Sequence, residues 1–465
     1  MPRRAIALVA LAALVSAQMF TGLGQTAKAQ EQARRGQPNV IRDAEIEELL
    51  RDYIRPILKA AGLTAQKIEI VLIGDRSFNA FVADGRRIFV NTGALYDSIA
   101  PNQIIGVLAH ETGHIAGGHL AKLREQMATA QTAAIVAMLL GVGAMVAGAA
   151  SGARGVGEAA PGLLMGPQEV IRRSLLSYVR SQEESADRAA VNFLNATGQS
   201  AKGMVETFQR FANDALFVAS RVDPYQLTHP MPRERIAALE SLARESPYYD
   251  KKDSPQLQLR HDMMRAKLAG FTDRLDTVMR RYPPSNTSLP ARYARAIASY
   301  RFGNVRDSIA QIDAHIAEQP NNPYFHELKG QALLESGRAK EAVAPLRHAV
   351  ALSNGSALLH MMLGQALVQS GDKAVAEEAV RELRQAIARE PDASFGYRQL
   401  AIALGRKGDM PNADLASALA AFNEGDFKTA RQLAFRAQKS FPTGSPGWLK
   451  ADDLVNFKPP KIGQN

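Results

Sequence analysis

The sequence contains no cysteine among its 465 residues. Disulfide bonds, thiolate metal ligands and cysteine nucleophiles are therefore excluded, so any transition-metal site must use histidine and carboxylate side chains. Aromatic residues make up only 6% of the chain while alanine is abundant, a balance that favours helices over a β-sandwich. Hydrophobic residues at 46% and charged residues at 22% are typical of a globular protein, and the length is enough for two cores.

The formal net charge is +10, but no dense stripe of lysine and arginine is interleaved with aromatics. We therefore do not expect nucleic acid as a partner. At the N-terminus, Arg3 and Arg4 precede an apolar run, and a small-x-small cleavage site ends at Ala29. This pattern predicts a cleaved secretory signal at 1–29 and export to the periplasm; an uncleaved membrane anchor is the alternative.

Hydrophobic periodicity from residue 43 to 245 predicts a mainly helical domain that contains a small β-sheet. The sheet is expected to include a hairpin around Asp84-Gly85. The expected helices are Asp43 to Gly62, Pro101 to Lys122, 168–196, 201–220 and 232–245, and the expected strands are 68–73, 78–82 and 87–91.

The last third of the chain repeats itself. The octapeptide Gly330–Gly337 recurs at Gly364–Gly371, an offset of 34 residues, and Gly303 precedes Gly337 by the same interval. This period is that of tetratricopeptide helix pairs, in which the glycine allows a tight turn. We therefore predict an all-α tetratricopeptide solenoid whose concave surface binds protein partners; a purely structural solenoid is the alternative.

The segment His110-Glu111-Thr112-Gly113-His114 is an HExxH motif. On a helix, residues four apart share a face, so both imidazoles can bind one metal ion while Glu111 points towards a catalytic water. Two imidazoles and a carboxylate suit Zn²⁺. A surface helix with two solvated histidines is the alternative, and the apolar residues of this helix argue against it.

A third metal ligand is expected downstream. His119 follows His114 by five residues, about 140° around a continuous helix, and is interpreted as a supporting or structural residue. Glu183 is the better candidate, because it shares a helix face with Asp187, which would hydrogen-bond a ligand imidazole. The alternative is a charged surface helix in which Arg188 is the partner.

His110-Glu-x-x-His114 followed by Glu183-x-x-Ala-Asp187 resembles the metallopeptidase family that includes HtpX and the CAAX prenyl endopeptidases. The resemblance covers about residues 45–245. It implies an α+β gluzincin domain with one Zn²⁺ bound by His110, His114 and Glu183. The fold class is therefore expected to be mainly α with a small β-sheet, followed by the all-α solenoid.

With a leader in front and repeats behind, the chain resembles the periplasmic β-barrel assembly-enhancing proteases as a class. That resemblance implies a zinc endopeptidase in outer-membrane protein assembly and quality control. The implied partners are unfolded or stalled outer-membrane proteins and the β-barrel assembly machinery, contacted through the repeats. The alternative is a chaperone or assembly adaptor in which proteolysis is secondary.

The same family carries a loop histidine within His-Pro-x-x-x-x-Arg-Ile, which here begins at His229 and includes Arg235. By resemblance, His229 occupies the fourth zinc position and holds the enzyme silent. If the loop moves away, His229 or Arg235 would instead stabilise the oxyanion. A loop histidine that caps a helix is the alternative.

These observations predict a domain order for the whole chain. The Ala- and Gly-rich apolar segment 133–150 is at the lower limit for spanning a membrane, and we expect it to pack on the protein, with peripheral membrane contact or a true span as alternatives. The strand near 87–91 is expected to pair with an extended substrate backbone. The predicted regions are a signal peptide at 1–29, a zinc metallopeptidase domain at 30–250, a linker or helical connector at 251–285, a tetratricopeptide domain at 286–442 and a C-terminal tail at 443–465.

Overall fold

The computed structural model of the protein describes residues 39–128, 177–217, 225 and 229–459. The predicted leader at 1–29 and the apolar segment 133–150 lie outside these residues. Within the described part of the chain, no helix is both long enough and apolar enough to cross a membrane.

The chain divides into two compact units. The first comprises the described residues of Met1–Ile41, Ile57–Asp97 and Gly106–Tyr249. The second comprises Arg42–Pro56, Ser98–Ile105 and the described residues of Asp250–Asn465. Both units are mainly helical, and the described strands belong to the first. The fold class is therefore the predicted one, mainly α with one small sheet.

The first unit contains a four-stranded sheet in the order β1-β2-β4-β3. Its strands are β1 (Val40–Ile41), β2 (Glu69–Ile73), β3 (Ala80–Val82) and β4 (Arg87–Asn91). β3 and β4 form the predicted antiparallel hairpin, and Gly85 takes a positive φ of 78° at its turn.

The position of β4 within the sheet corrects one prediction. β2 pairs in parallel with the full length of β4, and β3 pairs with its opposite side. Both edges of β4 are therefore hydrogen-bonded to neighbouring strands. The prediction that this strand would pair with a substrate backbone is wrong, because strand addition requires a free edge.

Within the described residues, the helices before residue 245 agree with the predictions apart from a missed helix, α2, and a break after α3; the predicted helical residues 168–176 and 218–220 lie outside the described part of the chain. The helix α3 was expected to continue to Lys122, but it ends at Ala116, because Gly118 takes a left-handed φ of 62°. A new helix, α4, starts at His119. The helices are α1 (Ala44–Ala60), α2 (Thr92–Asp97), α3 (Pro101–Ala116), α4 (described over 119–128), α5 (described over 177–196), α6 (Lys202–Phe217) and α7 (Arg233–Arg244).

The second unit repeats a helix pair with the predicted period. Helices α10, α12 and α14 begin 34 residues apart, and Gly303, Gly337 and Gly371 each take a positive φ between paired helices. A 3₁₀ turn at Lys373–Val375 then lengthens the third repeat before α15. The helices are α8 (Pro255–Thr272), α9 (Leu275–Arg281), α10 (Leu289–Arg301), α11 (Val305–Glu318), α12 (Pro323–Glu335), α13 (Ala339–Leu352), α14 (Ala357–Gln369), α15 (Ala376–Arg389), α16 (Ser394–Arg406), α17 (Met410–Asn423), α18 (Phe427–Ser440) and α19 (Pro446–Asn456).

The two copies of the octapeptide pack in the same way. A Cβ added at Gly330 would overlap the side chain of Leu346, and one added at Gly364 would overlap Leu383. In each repeat, the glycine of the first helix therefore makes room for a leucine of the second helix. The repeated sequence thus encodes a repeated helix contact as well as a repeated turn.

A buried lysine on α8 gathers acidic side chains within the second unit. Lys267 Nζ lies 2.9 Å from Asp43 Oδ2, 3.2 Å from Glu45 Oε2 and 3.4 Å from Glu327 Oε2. Tyr293 donates to Glu45 Oε2 at 3.0 Å. We call these five residues the Lys267 cluster. Burial acts to lower the pKa of Lys267, but Asp43 and the other carboxylates raise it well above its usual value.

Candidate metal centre

Two helices of the first unit pack closely enough for their side chains to share one site. A Cβ added at Gly113 of α3 would lie 2.8 Å from the carbonyl oxygen of Ala186 on α5 and 3.0 Å from its Cα. Only a glycine permits this approach without moving backbone. The contact places the HExxH residues of α3 beside Glu183 and Asp187, which flank Ala186.

Four predicted side chains converge at this place: one ligand atom each from His110, His114, Glu183 and His229 lies within 4.8 Å of the others. His110 Nε2 is 3.0 Å from His114 Nε2 and 3.4 Å from Glu183 Oε2. His114 Nε2 is 3.3 Å from Glu183 Oε1. His229 Nδ1 is 3.0 Å from Glu183 Oε2 and 3.4 Å from His110 Nε2.

These separations suit a tetrahedral metal ion. Zinc–nitrogen and zinc–oxygen bonds of about 2.0–2.2 Å place neighbouring ligand atoms roughly 3.3–3.6 Å apart. The five distances among these atoms, which involve either oxygen of Glu183, are 3.0–3.4 Å. Three imidazole nitrogens and a carboxylate oxygen could therefore surround one cation, which would account for the convergence of these polar groups in a buried place.

Asp187 and Arg235 contact the side chains of this cluster: Asp187 contacts His110, and Arg235 contacts both Asp187 and Glu183. Asp187 Oδ1 is 2.9 Å from His110 Nδ1, the ring nitrogen that faces away from the cluster. Arg235 contacts Asp187 through Nε at 2.7 Å and Nη2 at 2.9 Å, while its Nη1 lies 2.9 Å from Glu183 Oε2 and donates to the carbonyl of Pro230 at 2.8 Å. Burial acts to raise the pKa of Asp187, but Arg235 and His110 hold it below its usual value.

The imidazoles of the HExxH motif have unequal proton affinities. Burial acts to lower the pKa of His110, yet its contacts with Asp187 and Glu183 outweigh burial and raise this pKa to about 9. Burial and the charge of His110 lower the pKa of His114 to about 2. The carboxylates thus favour a positive charge at the centre, and a metal cation would take the place of the proton on His110.

Comparison with known proteins gives this arrangement a family. Residues 41–243 match peptidase family M48. These residues are therefore similar to M48 peptidases. The resemblance to a metallopeptidase family, inferred from the HExxH motif and Glu183, is therefore confirmed.

Two curated proteins are similar to parts of the chain. The chain is similar to a putative β-barrel assembly-enhancing protease of Vibrio cholerae serotype O1, with 25% identity over 301 residues, and to the β-barrel assembly-enhancing protease of Escherichia coli K12, with 25% identity over 211 residues. These matches cover 63% and 45% of this chain. They cover 59% and 42% of the two relatives, so the chain spans about half the length of the proteins it matches.

One solved structure is also similar over part of the chain. It is residue 41 to the end of MamA from Desulfovibrio magneticus RS-1, with 20% sequence identity and a TM-score of 0.28. The match covers 41% of this chain and 93% of that one.

Glu111 lies beside the four converging side chains rather than among them. The residue is fully buried, and its carboxylate oxygens are among the buried polar atoms that no hydrogen bond satisfies in the described part of the chain. His229 Nε2 is 3.5 Å from Glu111 Oε1. Burial raises the pKa of Glu111, although the neighbouring histidines act against it. This carboxylate therefore has a high affinity for a proton.

His119 lies next to the four converging side chains. The sequence-based estimate had placed it about 140° around the helix from His114. Its Nδ1 is 3.0 Å from His114 Nδ1. The estimate assumed a continuous helix, but the chain breaks at Gly118 and a new helix starts at His119. His119 is not one of the four converging groups.

Sequence reasoning missed two aromatic residues, Tyr225 and Phe208, that pack against the converging histidines. The Tyr225 ring is 4.5 Å from the His229 ring, and the Phe208 ring is 5.6 Å from that of His110. Tyr225 also accepts the backbone N–H of His229 at 2.8 Å. Its spacing of four residues from His229 was the only available signal. Phe208 occupies an ordinary core position of α6, which the sequence pattern does not distinguish.

Proposed function

We propose that this chain is a zinc-dependent endopeptidase. The observation that carries the proposal is the convergence of His110, His114 and Glu183 within a few ångströms, with the buried Glu111 alongside. Nitrogen and oxygen ligands at tetrahedral separations suit Zn²⁺. Zinc bound there would polarise the scissile carbonyl and make water a better nucleophile at neutral pH.

Glu111 is the residue that we assign to proton transfer. A carboxylate whose pKa is raised by burial accepts a proton from the attacking water more readily and passes it to the leaving amine. Asp187 fixes the tautomer of His110, so that Nε2 presents a lone pair to the cluster. Arg235 compensates the charges of Asp187 and Glu183, which keeps two adjacent carboxylates ionised in a buried place.

His229 holds the peptidase silent in this proposal. Its Nδ1 occupies the fourth corner of the cluster, which the attacking water would need. Displacement of the segment before α7 would open that corner. In the open state, we assign oxyanion stabilisation first to His229, since Arg235 remains engaged with two carboxylates, and Arg235 is the second candidate.

Zinc content and casein cleavage test the proposal together. We expect about one zinc ion per wild-type chain, as four protein ligands imply; Glu183→Gln removes a ligand, and its zinc affinity should fall by more than the 10- to 100-fold typical for loss of a ligand's hydrogen-bond partner. Glu111→Gln should retain zinc and lose cleavage. His229→Ala opens the fourth position but removes an oxyanion donor; it should retain zinc and still cleave, whereas the His229→Ala/Glu111→Gln double variant should not cleave. Protein without zinc, with no cleavage by any variant, would refute the proposal.

We also propose that the chain works in the periplasm on outer-membrane proteins. Support comes from the leader-like N-terminus and from relatives whose names describe them as β-barrel assembly-enhancing proteases. Cell fractionation with N-terminal sequencing of the purified protein tests this placement. A periplasmic chain that begins near residue 30 is expected, and an unprocessed cytoplasmic chain would contradict it.

An assembly adaptor is the second candidate function. A cavity of about 590 Å³ opens in the second unit, and its lining includes Glu48, Asp52, Tyr324 and Asn354. A concave surface on a unit of repeated helix pairs suits a protein partner. The Glu111→Gln variant separates the two functions: if outer-membrane proteins still mature in cells that carry it, the repeats act without proteolysis.

A further inference from the structure

His119 follows the break between α3 and α4 and lies beside the converging ligand side chains. Gly117 N–H still donates to Gly113 in the manner of α3, whereas Gly118 takes a left-handed φ of 62°. The next residue, His119, begins α4, and its side chain is buried with 6% of its surface exposed. Its ring lies 5.0 Å from the His114 ring at an interplanar angle of 84°.

Only one placement of the protons on the His114 and His119 rings is consistent with metal binding by His114. His114 Nε2 faces His110 and Glu183, so a metal ion needs the lone pair of this nitrogen. A neutral His114 must then carry its proton on Nδ1. His119 Nδ1, at 3.0 Å, can accept that hydrogen bond when its own proton is on Nε2.

We propose that His119 is a positioning residue that fixes the tautomer and ring orientation of His114 for metal binding. The inference rests on the proposed zinc centre. His110 is oriented by the carboxylate of Asp187, whereas His114 is oriented by an imidazole. Groups that hydrogen-bond the outer nitrogen of a ligand histidine typically account for a 10- to 100-fold difference in metal affinity.

Gly117 supplies an independent way to disturb the contact. A Cβ added at this residue would overlap the His119 imidazole, with Nε2 as the nearest atom. Gly117 does not have a positive φ, so alanine imposes no backbone strain there. Gly117→Ala should therefore displace the His119 ring from His114 while leaving every histidine in the chain.

The experiment measures Zn²⁺ affinity by competition with a chromophoric chelator on the full chain. His119→Leu removes the acceptor, and its affinity should fall 10- to 100-fold. His119→Asn has nearly the same shape as leucine but places an amide oxygen near the position of Nδ1, and it should stay within about threefold of wild type. Gly117→Ala should resemble His119→Leu, and the exposed Lys122→Ala on the same helix should match wild type.

A spectroscopic readout separates positioning from a general loss of stability. The visible absorption spectrum of the Co²⁺-substituted protein should change in His119→Leu and Gly117→Ala but not in His119→Asn. Thermal unfolding in chelator reports the stability of the metal-free forms, which should be similar for the leucine and asparagine variants.

The outcomes distinguish this inference from the proposed function. If wild type binds no Zn²⁺, both fail. If wild type binds Zn²⁺ and His119→Leu binds it equally well, only the positioning role fails. If His119→Leu and His119→Asn lose affinity equally, the acceptor at Nδ1 is not what matters, and the inference is overturned as well.

Discussion

A buried histidine in the second unit should make that unit sensitive to mild acid. His261 on α8 is fully buried; its Nε2 is 2.8 Å from the carbonyl oxygen of Ser98, and its Nδ1 is 2.9 Å from the Tyr53 hydroxyl. A carbonyl can only accept, so Nε2 carries the proton and Nδ1 accepts from Tyr53. The structure therefore holds His261 as the neutral ring.

The size of the effect follows from the pKa of this histidine. Burial lowers the pKa of His261 from 6.5 to about 4, although the hydrogen bond to Ser98 opposes the change. The folded-state pKa lies below the unfolded value, so the unfolded chain binds more protons between pH 4 and 6.5. The stabilising contribution is complete above pH 6.5 and is lost as the pH falls towards 4, by about 3 kcal/mol in total and about 2 kcal/mol at pH 5.

The assay compares urea unfolding of wild type and His261→Gln from pH 7.5 to 5. The single tryptophan, Trp448, lies in α19 of the same unit and reports its unfolding by fluorescence. At pH 7.5, the variant should be less stable by about 1–2 kcal/mol, because the Tyr53 hydroxyl loses its partner. By pH 5, the difference should vanish or reverse, since glutamine does not titrate.

A constant difference is the outcome that contradicts this argument. If the difference in stability between wild type and His261→Gln stays the same to within about 0.5 kcal/mol from pH 7.5 to 5, the protonation argument is wrong.

Two further predictions concern the second unit. Lys267→Met leaves the carboxylates of the Lys267 cluster buried without their cation, so urea unfolding at pH 7.5 should show a loss of stability of about 3–5 kcal/mol. As a control, Lys329→Met breaks an exposed ion pair with Asp313 and should cost less than about 1 kcal/mol. Equal losses would contradict the argument. Gly337→Ala should destabilise the chain by about 1 kcal/mol in thermal unfolding because its φ is 79°, whereas Gly405→Ala, in open space on α16, should stabilise it by about 0.4–1 kcal/mol; a stabilising Gly337→Ala would refute the turn argument.

The metal cluster could be predicted from the sequence because its parts are local patterns. HExxH places His110 and His114 on one helix face, and the spacing of Glu183 and Asp187 does the same on α5. The structure brings these faces together as expected. The repeats were predictable for a similar reason, since a glycine at a fixed interval marks each turn between paired helices.

The errors and omissions involve contacts between distant residues or a single backbone angle. The parallel pairing of β2 with β4 joins strands that have a third strand between them in sequence, and nothing local reveals it. His119 was misplaced because one φ at Gly118 redirects the chain. The Lys267 cluster was missed because it draws on Asp43 and four helices, α1, α8, α10 and α12, and charge spacing along one helix cannot reveal such a group.

The approach of α3 to α5 at Gly113 has a consequence for how such motifs are recognised. A search that requires only the two histidines and the glutamate treats the intervening letters as free. In this chain, Gly113 precedes the second histidine and sets the distance between the backbones of α3, which carries His110 and His114, and α5, which carries Glu183. A distant or designed sequence could therefore keep every ligand and still fail to take up metal, because one methyl group too many stands between the two helices.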